Sequence, residues 1–126
     1  MSTQRKILII DDDPAVLAVL SARFSIKEGY EVMTVRGGAE GIKAAQKKKP
    51  DIILLDWMMP KMTGISVLES LKGDSRTTWI PTFMLTSKTK MADVEKALAK
   101  GASGYFTKPL KLPEMSTRLN RLFATA

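Results

Sequence analysis

Asp11, Asp12, Asp13, Asp56, Thr86 and Lys108 have the types and spacing for metal and phosphorus chemistry, and each lies at or just past the end of a short apolar run. Ile7-Leu8-Ile9-Ile10 runs into the first three acids, and Ile52-Ile53-Leu54-Leu55 runs into Asp56. Clustered carboxylates repel, so several held ionised together call for a cation. Oxygen ligands suit a hard divalent ion, Mg²⁺ first, with Mn²⁺ as a substitute. An aspartate in such a cluster can serve as a nucleophile on phosphorus, with a hydroxyl (Thr86) and an ammonium (Lys108) meeting the developing charge. Singly, each acid reads as a helix cap or loop polarity. Acids at two strand ends with a hydroxyl and a lysine at two more favour chemistry.

Composition narrows the options. There is no Cys and no His, which removes thiol nucleophiles, imidazole bases and thiolate or imidazole metal sites. At 126 residues, with 44% hydrophobic and 26% charged residues, the chain fits one domain over residues 1–126 with a single compact core. Ser2-Thr3-Gln4-Arg5-Lys6 leads into only four apolar residues, too few for a secretory leader or a membrane span, so a cytoplasmic protein with no membrane contact is expected. The net charge of +7 is uneven: residues 1–87 contribute +2 and residues 88–126 contribute +5. The basic residues are not interleaved with aromatics along the chain, so no nucleic-acid contact is expected, and an acidic protein target is. The run Lys47-Lys48-Lys49 reads as cations favoured at a helix C-terminus.

Apolar runs of four to five residues suit strands buried on both faces of a parallel sheet. Between them lie helical patterns. Asp13 and Pro14 fit an N-cap and first helical position, followed by a stripe of Val16, Leu20 and Phe24 ending near Gly29. A second strand over 30–35 precedes a helix carrying Ala39, Ile42 and Ala45. A third helix turns Ile65, Leu68 and Leu71 inward. The strand 82–86, a helix marked by Met91, Val94 and Leu98 with Gly101 as its cap, the strand 105–107, and a helix marked by Met115, Leu119 and Leu122 complete the order. Five alternations of strand and helix predict an α/β, three-layer, doubly wound domain with a five-stranded parallel sheet. In such sheets ligands bind at the carboxyl ends of the strands, where the six residues collect.

The ordered set of Ile7 to Asp12, Asp56-Trp57-Met58-Met59-Pro60-Lys61-Met62-Thr63-Gly64, Met84-Leu85-Thr86-Ser87 and Gly101 through Lys108-Pro109 resembles the receiver domain of the two-component response regulators, over essentially the whole chain. The resemblance implies the flavodoxin-like strand order 2-1-3-4-5 and a phosphorylation-activated switch rather than an enzyme. It makes Asp56 the phosphoacceptor, served by a sensor histidine kinase or a histidine phosphotransfer protein. Asp11, Asp12, Asp56 and the backbone carbonyl of Met58 would hold Mg²⁺, and Thr86 and Lys108 would contact the phosphoryl group. Tyr105 would act with Thr86 as the switch, altering the surface of the fourth helix, fifth strand and fifth helix. Met58 and Lys88 would tune phosphate lifetime, and Asp13 would only cap a helix. A monomer, or a dimer formed on phosphorylation, is implied. The Lys108-Pro109 bond would be cis.

Three other readings compete. An aspartate-nucleophile phosphatase of the haloacid dehalogenase type fits Asp11-x-Asp13 but lacks an acidic pair after the fourth strand and any cap. A flavodoxin-like cofactor carrier would need a hydroxyl-rich loop after the first strand, where these acids would repel a phosphate. A receiver-like binding module not controlled by phosphate is disfavoured by the intact acid set.

Overall fold

The computed structural model describes residues 4–87 and 91–124. It contains β1 (Lys6–Ile10), α1 (Pro14–Ala22), a π turn (Arg23–Lys27), β2 (Glu31–Val35), α2 (Gly38–Lys48) and β3 (Ile52–Asp56). Next come α3 (Gly64–Lys72), β4 (Thr82–Thr86), α4 (Met91–Ala99), β5 (Gly104–Thr107) and α5 (Leu112–Ala124). All strand pairs are parallel, in the order β2-β1-β3-β4-β5. That is the doubly wound α/β sheet the alternating runs predict.

Side chains alternate across a strand, and here both faces are dry. Leu8, Ile10, Ile53 and Leu55 face one core with Ala45, Leu68, Leu71 and Ala97, from α2, α3 and α4. Ile7, Ile9, Ile52 and Leu54 face the other with Leu17, Leu20, Phe24, Met115 and Leu119, from α1, the π turn and α5. Each central strand is therefore a continuous apolar run rather than an alternating one. The run must stop where the sheet meets water, and there the polar residues begin.

Asp13 caps α1 as expected: its carboxylate accepts from the backbone N–H of Ala15 at 2.9 Å, with Pro14 in the first turn. The buried stripe of α1 differs from the expected one. Leu17 is buried beside Leu20 and Phe24 while Val16, half-buried, packs against the same core, and the helix gives way to a π turn in which Glu28 N–H donates to the Arg23 carbonyl at 3.2 Å. In α2, Gly38, Gly41 and Ala45 face the core and Ala39 is exposed. Leu98 and Leu122 are 46% and 42% exposed, whereas Ala97 and Leu119 are buried. The side chain of Met91 lies outside the described residues. Gly101, placed as a cap, has φ +107.

Candidate functional site

Strand ends and loop closures build the site. After β1, the Asp11 N–H donates to the Val35 carbonyl at 3.1 Å and the Asp13 N–H donates to the Asp11 carboxylate at 2.9 Å. These contacts fold the loop back on itself, leaving Asp11 fully buried and Asp12 half-buried. Asp56 is the last residue of β3 and is 4% exposed. The following loop closes through Gly64, whose N–H donates to the Trp57 carbonyl at 2.8 Å. A Cβ at Gly64 would land on the carbonyl oxygen of Asp56, so close backbone approach requires glycine there. Thr86 ends β4, buried at 2%. The Lys108 N–H donates to the Thr86 carbonyl at 2.8 Å, and its peptide bond to Pro109 is cis.

These closures bring Asp11, Asp12, Asp56, Thr86 and Lys108 to one cavity of about 460 Å³, also lined by Asp13, Pro14, Trp57, Met58 and Ser87. The Lys108 ammonium lies 3.1 Å from Asp11 Oδ2 and 3.1 Å from Asp56 Oδ1. Burial, and next the neighbouring Asp11 carboxylate, push the Asp56 pKa up to about 6 against the pull of Lys108. Burial opposes the Lys108 charge, but its bonds to Asp56 and Asp11 outweigh this and raise its pKa. One ammonium thus serves two buried carboxylates, with Asp12 close by. Oxygens of Asp11, Asp12 and Asp56 lie within 4.8 Å of one another. An all-carboxylate donor set carrying more negative charge than one lysine neutralises fits a hard divalent cation.

Asp13, exposed at the cavity wall, is engaged as the cap of α1. Tyr105 lies on β5, half-buried, paired in register with Met84, and its carbonyl accepts from Arg118 at 3.0 Å. Met58 is 60% exposed at the rim. Lys88 lies outside the described residues.

Two contributors were given no role from the sequence. Arg36, just past β2, donates to the Asp12 carbonyl at 3.2 Å; its signal was its position at the end of a strand that pairs with β1. Ser87 adds a hydroxyl to the cavity wall; its signal was the adjacent Thr86.

A buried carboxylate cluster with a lysine, at the carboxyl edge of a 2-1-3-4-5 parallel sheet, defines a class of α/β proteins built around a cation-dependent phosphoryl site. Residues 7–120 match the response regulator receiver domain. The chain belongs to that family. Among its relatives, the DNA-binding dual master transcriptional regulator RpaA of Synechocystis is 39% identical over 117 residues, 93% of this chain and 48% of RpaA. The transcriptional regulatory protein KdpE of Mycobacterium tuberculosis is 37% identical over 90% of this chain and 48% of its own length. The chain spans about half the length of these curated relatives. Its fold is similar to that of the chemotaxis protein CheY4 of Vibrio cholerae, with a TM-score of 0.88 and 32% identity over 95% of this chain and 99% of that one. It also resembles the receiver domain of the sensor histidine kinase PA1611 of Pseudomonas aeruginosa, solved with magnesium in its active-site cleft. There the TM-score is 0.85 and the identity 28%, over 94% of this chain and 97% of that one. No helix among the described residues is long and apolar enough to cross a membrane.

Proposed function

We propose that residues 1–126 form one receiver domain that works as a phosphorylation-controlled switch, with Asp56 as the phosphoacceptor. The observation that carries this is the buried Asp56 carboxylate 3.1 Å from the Lys108 ammonium and grouped with Asp11 and Asp12. The donor is the phosphohistidine of a sensor kinase or a histidine phosphotransfer protein. A carboxylate oxygen of Asp56 bonds to phosphorus while the phosphorus–nitrogen bond breaks, and the imidazole leaves with the electron pair and takes up a proton. Lys108 and the Thr86 hydroxyl meet the charge on the phosphoryl oxygens. Mg²⁺ or Mn²⁺, held by Asp11, Asp12, Asp56 and the Met58 carbonyl, would supply further neutralisation of those oxygens. An apolar cavity of about 300 Å³ between α1 and the segment after β5 shares Lys108 with the site, and it offers a protein donor a resting surface.

The chain is a phosphoacceptor that assists gain and loss of its own phosphate, with no substrate turned over. Drawing Thr86 towards the phosphoryl group lets Tyr105 turn inward, which shifts a pre-existing equilibrium at the α4, β5 and α5 surface. RpaA carries "DNA-binding" in its name; this domain acts through protein contacts, including an acidic downstream target. Incubation with Mg²⁺ and a small phosphodonor gives an acid-stable, base-labile label that Asp56→Asn abolishes; an unlabelled wild type overturns the reading.

Phosphate lifetime follows from the rim. An apolar Met58 orients no attacking water by hydrogen bonding, so self-dephosphorylation is slow. Phosphate loss is expected to speed up in Met58→Asn or Lys88→Glu, and unchanged rates in both remove the explanation.

A further inference from the structure

On the opposite edge of the sheet, Trp79 stands 53% exposed between α3 and β4. A large indole left in water on an ordinary loop normally turns inward or moves freely. This one is fixed. Its Nε1–H donates to the Arg76 carbonyl at 3.1 Å, and the Lys72 ammonium donates to the carbonyls on either side of it, Thr78 at 3.0 Å and Ile80 at 2.6 Å. Burial lowers the Lys72 pKa, so a partly desolvated ammonium is committed to holding this turn.

The same turn meets the basic end of α2. Gln46 donates to Asp74 at 3.1 Å, and Asp74 accepts from Arg76 at 2.7 Å. Gln46 thereby ties the last turn of α2 to the Trp79 turn, and the next three residues, Lys47, Lys48 and Lys49, are all exposed. Sequence spacing does not reveal this pairing. The fold closes the stretch of chain between Lys49 and Trp79 through Gln46, Asp74 and Arg76.

We infer that this edge is a docking surface for an acidic polypeptide segment carrying one apolar residue, with Trp79 as its anchor and Lys47, Lys48 and Lys49 as its cations. Pre-ordered tryptophan and nearby cations are what interface hot spots use, since little freedom is lost on binding. A single-stranded nucleic acid fits less well, because such platforms stack successive bases on several rings. Trp79 is the one exposed aromatic among the described residues. The surface lies away from Asp56, so its use does not depend on phosphorylation.

The test is titration of the isotopically labelled full chain with a synthetic nonapeptide of Glu and Asp around a central Leu, followed by amide shifts. Shifts at residues 46–49 and 72–80 are expected, separate from any at the α4, β5 and α5 surface, with affinity falling as salt rises. Trp79→Ala, and separately Lys47, Lys48 and Lys49 all changed to Gln, should each weaken binding about tenfold, the scale of a hot-spot loss. The exposed lysine changes leave the fold intact, and Asp56 labelling should be unaltered in both variants. No shifts at residues 46–49 and 72–80, or tighter binding of a thymidine oligonucleotide at the same residues, would overturn the inference.

Discussion

At the scale of the residue, Asp56 is held under electrostatic stress. Its pKa of about 6, against an ordinary 3.8, means that the folded chain keeps a proton the unfolded chain has lost. Between those two values the native state binds more protons, so wild-type stability falls as pH rises through that window, and the full penalty is present above it. Asp56→Asn removes the penalty. The variant should be more stable than wild type by on the order of 2 kcal/mol at about pH 8, with the gap closing near pH 4. Denaturant melts at the two pH values check this, and equal stability at the higher pH contradicts it. Mg²⁺ should raise the wild-type melting temperature and have less effect on Asp56→Asn. The acids themselves were legible in the sequence because each ends an apolar run. Arg36 was not, because its contact runs through a backbone carbonyl that only the β1–β2 pairing brings near.

At the scale of the element, the loop from β3 to α3 is shaped by two backbone demands. Gly64 leaves no room for a side chain against Asp56. Gly64→Ala should cost about 1–3 kcal/mol by overpacking and should also slow Asp56 labelling by moving the strand end. Lys61 has φ +70, a left-handed conformation that favours glycine. Lys61→Gly should be neutral or stabilise by up to about 1 kcal/mol, and a clear loss in a thermal melt would count against that. The order and type of the elements were legible because buried parallel strands read as continuous apolar runs. The helix faces were less so. A repeat of 3.6 residues places both the third and the fourth neighbour on one face, so spacing alone did not choose Leu17 over Val16 or Ala97 over Leu98. Nor did it show the π turn, whose hydrogen bond reaches one residue further along the chain than an α-helical one.

At the scale of the whole molecule, parallel strands put every carboxyl end on one edge and every amino end on the other. The carboxylate cluster occupies the first edge, and Lys47, Lys48, Lys49 and Trp79 occupy the second. This polarity was hidden in the sequence, where the basic excess falls in the last third. Several of those cations are already engaged: Lys108 in the site, Lys100 with Glu69 at 2.7 Å, and Arg118 over the Phe83 and Phe106 rings. The two tryptophans divide between the edges, Trp57 at 7% exposure in the wall of the carboxylate cavity and Trp79 at 53%. The molecule therefore carries its own pair of optical reporters. Iodide should quench the red-shifted emission of Trp79 and spare Trp57, whereas a divalent cation should change only Trp57. Emission spectra of Trp57→Phe and Trp79→Phe would separate the two signals, so that events at either edge can be followed by light without a label.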